Sequence, residues 1–379
     1  MKATQLFTEF FESEKAGGLL LIGCAVISLG LANSVFGESY THVWQIPVLS
    51  KPLQFWINDG FMALFFLLMG LEIEREIYVG EFSEIKNATL PILAAAGGMI
   101  IPAGIHFAFN HGTPYQDGFG IPMATDIAFS LGILSLLGKG VPIWIKVFLT
   151  ALAIMDDLGA ILIIAFFYSS SLSWGYLGMA MIMAVIMIVC NRMKIHAIWV
   201  YLLAGTGIGY CLYHTGIHPT IAGVLVAFAI PFGDGSERSP SYRLQHLLHK
   251  PVAFFILPLF ALANTAILIS GESFSQLLTA NSIGIFLGLV IGKPMGIYLF
   301  CMAGIALRIC TMPKEAKKKY IAGAGMLAGI GFTMSIFITL LAFDDTTLVD
   351  SSKLIVMIAS LVAGTMGYFY LKHVIRVPA

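Results

Sequence analysis

Charge is what this 379-residue sequence has least of. Asp, Glu, Lys and Arg together make up 11% of it, against about 25% in an ordinary globular chain. Twenty-one basic residues balance 21 acidic ones, so no net field draws in nucleic acid, and none is expected as a partner. Cysteine is as sparse: Cys24, Cys190, Cys211, Cys301 and Cys310 are five, an odd number with no CxxC spacing. That argues against a disulfide framework or a zinc site and leaves them as small apolar residues. A cleavable signal is not expected either, because the first apolar run, AGGLLLIGCAVISLGLANS, is too long for a signal core and lacks an A-x-A site.

What fills the chain instead is hydrophobic residue, 58% of it. Apolar stretches of roughly 18 residues recur along its length, each able to cross ~30 Å of hydrocarbon as a helix. Read against their polar breaks they predict an all-α polytopic membrane protein of about twelve spans, roughly 16–33, 56–71, 90–109, 121–137, 147–168, 175–190, 197–212, 217–231, 252–269, 283–306, 320–342 and 354–371. The second is expected to run on as helix through LEIEREIYVG, which has no breaker before Gly80. With a cytoplasmic N-terminus and alternating sides, Lys51 and Lys353 fall outside and Lys293 within a span, and every other Lys and Arg of the 21 falls inside. That split satisfies the positive-inside rule and places both termini in the cytoplasm.

Against this background a few ionisable residues stand out. An Asp at the centre of a span costs about 2.5–3.5 kcal/mol on insertion scales, so such residues face the protein interior and mark function by default. Asp126 lies in IPMATDIAFSLGILSLL, Asp156 and Asp157 in AIMDDLGAILIIAFF, and Lys293 in LGLVIGKPMGIYLF. The adjacent pair diverges by roughly 100° on a helix, so the two acids cannot point alike. One lysine offsets one carboxylate; the others must be protonated, hydrated or ion-bound, and each of those states implies exchange of protons or cations. Asp59, at the start of its span, reads equally as a pathway acid and as a helix N-terminal acid.

Two spans carry interruptions. Pro122-Met123-Ala124-Thr125-Asp126 puts a proline, a hydroxyl and an acid in mid-run, and Gly323, Gly325, Gly329 and Gly331 crowd another. Small residues serve close helix packing. They also mark discontinuous helices at corresponding positions of inverted repeats, whose ends supply dipoles and free carbonyls to a site near the midplane. The whole chain then reads as one integral membrane transporter domain, with 89–168 and 283–375 as an inverted-repeat core and 12–88 and 169–282 as interface or panel helices. Its two discontinuous helices would cross near the midplane.

The blocks WINDGFMALFFLLMGLEIERE, IPMATDIAFSLGILSLLG, FLTALAIMDDLGAILIIAFFY, GIHPTIAGVLVAF, LPLFALANT, IGKPMGI and GIGFTMSIFI resemble, in order and over nearly the whole chain, the NhaA family of bacterial sodium/proton antiporters. The resemblance implies secondary active antiport, not an enzyme: cytoplasmic Na+ or Li+ exchanged for external H+, for sodium extrusion and pH regulation. It implies electrogenic, pH-activated transport in the bacterial inner membrane, without a cofactor. It makes Asp157 the main ion- and proton-binding carboxylate and Asp156 its partner, with Thr125 beside them. Asp126 and Lys293 would balance the charge where the broken helices cross, and Asp59 would lie on the outer pathway. Glu72, Arg75 and His218 match pH-responsive positions. The family often has an acid where this chain has Gln245, which leaves His246 and His249 as titratable candidates there. A homodimer is implied but weakened, because the outer loop SVFGESYTHVWQIPVLSKPLQ looks shorter than the family's β-hairpin.

Other readings compete. A sodium-coupled solute symporter on a related fold would need more polar groups at depth than Thr125, Asn264 and Thr333 provide. An intramembrane aspartyl protease would need its acids on facing helices in YD and GxGD contexts, and no GxGD occurs. A channel would not carry a charged pair at depth without a repeated filter motif.

Overall fold

In a computed structural model of the chain, residues 2–168, 173–269, 276–313 and 316–375 are described. Lys314 and Arg376, two of the charges counted on the cytoplasmic side, lie outside them. The described residues are mostly helical, and we number their helices α1 Lys2–Ala32, α2 Gly37–Gln45, α3 Leu53–Tyr78, α4 Ile85–Asn110, α5 Ile127–Ser135, α6 Ile143–Phe167, α7 Trp174–Arg192, α8 Ile198–Thr215, α9 Ile221–Ala229, α10 Pro240–Asn264, α11 Ala280–Ala306, α12 Lys318–Ala328, α13 Phe332–Ala342 and α14 Thr346–Ile375. Nine stretches among the described residues are long and apolar enough to cross a membrane, and α12 with α13 makes a tenth, bent by 48°. The protein is a multi-pass membrane protein. The expected span at 217–231 is only the nine-residue α9, about 13 Å long at 1.5 Å per residue. Helix α3 runs through Leu71–Tyr78, as the helix formers there predict.

The outer loop, expected to be short, does form a hairpin. After α2 comes a minimal antiparallel pair, β1 (Pro47–Val48) against β2 (Lys51–Pro52). Leu49 and Ser50 turn between the strands with φ of 47° and 69°. Both central residues at positive φ match the twist of flanking strands, although Asn-Gly would take that shape with less strain.

The chain divides into two compact units. The first holds residues 1–41, 85–160 and 261–379, so it includes α1. In it α4 packs on α11 at a glycine pair. A Cβ on Gly97 would fall 2.2 Å from the Gly296 carbonyl oxygen, and one on Gly296 would fall 2.1 Å from that of Gly97. Only glycine at both positions lets these backbones touch. The second unit, residues 42–84 and 161–260, packs α3 on α9 and α8 on both α7 and α9. Its core includes Leu71, Tyr201, Ile208 and Ala227.

Among the described residues three helices contain a π turn: Trp56–Phe61, Val252–Ile256 and Gly288–Gly292. Each inserts an extra residue and swings the rest of its helix round the axis. The second directly succeeds Pro251, which has no N–H to continue a regular ladder. The third ends on Lys293, whose N–H bonds the Gly288 carbonyl five residues back.

Candidate ion site in the first unit

The first interruption is a true gap in helix. A 3-10 turn over Gln116–Met123 gives way to extended backbone at Ala124–Asp126, and α5 starts only at Ile127. Asp126 is its N-cap, accepting from Phe129 N at 2.9 Å through Oδ1. Its other oxygen accepts from Thr333 N at 3.0 Å and from Thr333 Oγ1 at 2.6 Å, in the first turn of α13. One buried carboxylate therefore caps the N-termini of two helices, where unpaired N–H groups and the helix dipole favour negative charge. The second gap, Gly329–Gly331, lies against the first: Asp126 N donates to Ile330 O at 2.7 Å.

The opposite ends are matched as well. Lys293 Nζ donates to the Met123 carbonyl, where the 3-10 turn stops. Thr125 Oγ1 lies 2.9 Å from the Ala328 carbonyl, the last of α12. Two serines repeat the pattern. Ser130, fourth residue of α5, donates to Leu327 O at 2.9 Å, and Ser335, fourth of α13, donates to Ile121 O at 2.6 Å. Each half-helix thus supplies a hydroxyl to a carbonyl near the end of the other segment. Phe332 N, at the start of α13, donates to Ser360 Oγ on α14 at 3.2 Å.

On α6, Asp156 joins this crossing. Its Oδ2 lies 2.8 Å from Lys293 Nζ, with both side chains fully enclosed, and accepts from Thr125 Oγ1 at 2.6 Å. Its Oδ1 is buried with no hydrogen-bond partner among the described residues. Asp157 comes next at 1% exposure and acts on Lys293 through space. Thr125, Asp126, Asp156, Asp157 and Lys293 are all 2% exposed or less. Three acids and one lysine are thus sealed together, and hard oxygen donors of this kind suit a small alkali cation as cargo. Among the described residues no group of three or more His, Cys, Asp or Glu side chains could ligate a metal ion. Asn264, named as a possible solute contact, is buried on α10.

The remaining candidates lie in the second unit. Asp59 is the first acid of its helix but does not lie in its first turn. α3 begins at Leu53, right after Pro52, so Asp59 sits within the π turn, more than a helical turn inside. His218 Nδ1 is 4.0 Å from its Oδ1, too far for a direct hydrogen bond, with side chains 28% and 20% exposed. Glu72 Oε1 is 3.8 Å from His249 Nδ1, again partly exposed. The Arg75 guanidinium lies 4.8 Å over the Tyr242 ring, and Tyr242 stacks with His246. Sequence reasoning missed Glu74, a buried carboxylate that accepts from Ser241 Oγ at 3.3 Å; it is a charged residue in an apolar span, the signal that singled out the others. Ser130, Ser335 and Ser360 carried no such signal, since a serine in a helix reads as neutral.

Comparison with known proteins agrees with this architecture. The family model described as Na+/H+ antiporter 1 matches residues 8–371. A Flavobacterium psychrophilum protein named Na(+)/H(+) antiporter NhaA is 56% identical over 376 residues, covering 99% of this chain and 98% of its own length. Proteins of the same name from Cytophaga hutchinsonii and Citrobacter koseri are 53% and 44% identical, over 100% and 96% of this chain and 98% and 97% of their own. A match of that extent and identity leaves one assignment: the chain belongs to the Na+/H+ antiporter 1 family.

Proposed function

We propose that this protein is a secondary active antiporter that moves Na+ or Li+ out of the cytoplasm in exchange for external H+. It works as a transporter, not an enzyme, with Na+ and H+ as cargo and no cofactor. The observation that carries the reading is the enclosed doublet Asp156–Asp157 facing one lysine. Desolvation penalises the ionised carboxylate, while the nearby ammonium favours it. A site held between those pressures accepts a proton or a cation, not both, and exposure to each side in turn suffices for exchange. In this reading Asp157 is the principal ion and proton carrier, while Asp156 and Thr125 complete the oxygen set and Lys293 releases or holds Asp156. Whether Lys293 also gives up a proton sets the electrogenic ratio.

Counting α8 and the short α9 with the ten apolar stretches brings the spans to twelve, with both ends in the cytoplasm. The reciprocal bonds of Ser130 and Ser335, and the shared cap at Asp126, support two discontinuous helices crossing near the midplane as equivalent parts of inverted repeats over 89–168 and 283–375. Residues 12–88 and 169–282 then supply interface or panel helices, with Asp59 on the outer pathway and Glu72, Arg75, His218, His246 and His249 as the pH-responsive set. A homodimer in the bacterial inner membrane belongs to the same reading, weakened by an outer loop whose β1–β2 hairpin has only two residues per strand. The deciding experiment uses proteoliposomes with an internal pH dye. Asp157→Asn is expected to abolish sodium-driven proton movement, and exchange at the parent rate would overturn the reading. A symporter would instead stay silent until an organic solute was added.

A further inference from the structure

Away from the aspartates, the far end of α4 holds a buried polar cluster that the exchange chemistry does not use. His106, Asn110, Asn281 and Ser352 are each fully enclosed. His106 Nε2 is 3.1 Å from Asn281 Oδ1, and Asn281 Nδ2 donates to Ser352 Oγ at 2.8 Å. The amide therefore turns its oxygen to the ring, which puts the ring hydrogen on Nε2. Asn110 is fixed in the same way, its Nδ2 donating to the carbonyls of His106 at 2.9 Å and Ala280 at 3.2 Å.

Two acceptors remain. His106 Nδ1 and Asn110 Oδ1 are buried with no hydrogen-bond partner among the described residues, on side chains one turn apart along one helix. The ring has no freedom to turn away. A Cβ on Gly118 would come within 3.1 Å of His106 Cε1 and Nε2, and one on Gly284 within 3.0 Å of Cδ2. Two glycines clamp the imidazole, Asn281 of α11, itself held by Ser352 of α14, engages one edge, and the other edge keeps an enclosed lone pair.

The geometry points to His106 as a proton-binding site separate from the aspartate pair. A proton on Nδ1 converts one of two orphan acceptors into a donor, and Nε2 keeps its bond to Asn281. The charges on the elements around it are mostly acidic. Asp117 lies on the 116–123 turn, Asp344 and Asp345 come after α13, and α14 carries Asp350, paired at 3.7 Å with buried Lys353. α11 brings no ionisable group before Lys293, and α4 is succeeded by exposed His111. The site also ties α4 to α11, which carries Lys293, and to α14, which meets the second gap through Ser360. Only its placement on the outer side rests on the orientation proposed above.

The test measures proton binding without transport. His106→Gln keeps an amide donor for Asn281 but offers nothing at Nδ1. In sodium-free detergent solution, the parent is expected to take up one more proton per chain than this variant as the pH is lowered from about 8 through the ordinary histidine range and below it. In 13C-histidine-labelled parent protein, the imidazole signal absent from the variant should move with pH, its two forms changing tenfold in ratio per unit. Ser352→Ala, which leaves every titratable group in place, assigns the same signal through its local shift. Equal proton counts, or a His106 signal fixed across that range, would overturn the proposal. Transport by Asp157→Asn bears on the antiport reading alone.

Discussion

Two kinds of charge pair occur in this molecule. Lys293 and Asp156 meet at 2.8 Å with no solvent on either side chain. Asp59–His218 and Glu72–His249 stand at 4.0 and 3.8 Å with part of each group in reach of solvent. The first pair has left water altogether, so its attraction must offset a desolvation cost of several kcal/mol per ion. The second kind keeps some contact with water, and at these longer distances each pair is worth less, about 1 kcal/mol. A bare charge in the first place has no access to water, and in the second it has some. Exchange chemistry belongs where losing a partner is expensive, because only there does a proton or cation become obligatory.

The largest effect should come from removing one member of the enclosed pair. Lys293→Ala leaves Asp156 buried without its ammonium and is expected to cost about 3–5 kcal/mol, seen as a large fall in the detergent melting temperature. Lys293→Ala with Asp156→Asn removes both charges and should recover most of that loss. If the single and double variants melt alike, the pair carries no coupling and the contrast between the two kinds fails.

Next comes the shared cap. Asp126→Ala uncaps α5 and α13 together, and at about 0.5–2 kcal/mol per cap should cost about twice a single cap. Ser130→Ala and Ser335→Ala each remove one buried hydrogen bond and should cost about 0.5–1.5 kcal/mol apiece, in similar amounts if the two segments are equivalent. A large loss for one serine and none for the other would break the equivalence between the halves.

How much of this was legible beforehand depended on whether the physics lay in residue type or in register. Asp126, Asp156, Asp157 and Lys293 announced themselves because a charge in a long apolar run has no bland explanation. The gap at 124–126 was marked by Pro122 and Asp126, and the second by glycine. Asp126 as a cap for two helices was not legible, since Thr333 lies 207 residues away in sequence. Nor was the π turn that aims Lys293, because Gly288–Gly292 reads as ordinary apolar helix. The loop 34–54 looked short, and the hairpin in it has only two residues per strand, turning where Leu49 and Ser50 take positive φ. His106 lay in an apolar stretch and drew no attention, although its burial is as complete as that of Lys293.

The smallest effects should come from the partly exposed pairs, and salt separates them from the enclosed one. Glu72–His249 is an ion pair only while the carboxylate is ionised and the imidazole protonated. His249→Gln removes that state and should change stability by less than about 1 kcal/mol, while altering how transport rate depends on cytoplasmic pH. Raising ionic strength from about 0.01 to 1 M shortens the screening length from about 30 to 3 Å. The difference between His249→Gln and parent should therefore shrink with added potassium chloride, whereas the cost of Lys293→Ala should hold, since ions do not reach a side chain with no exposed surface. A His249 effect that persists at high salt would mean that Glu72 and His249 are shielded as fully as Asp156 and Lys293. The two kinds of pair would then be one.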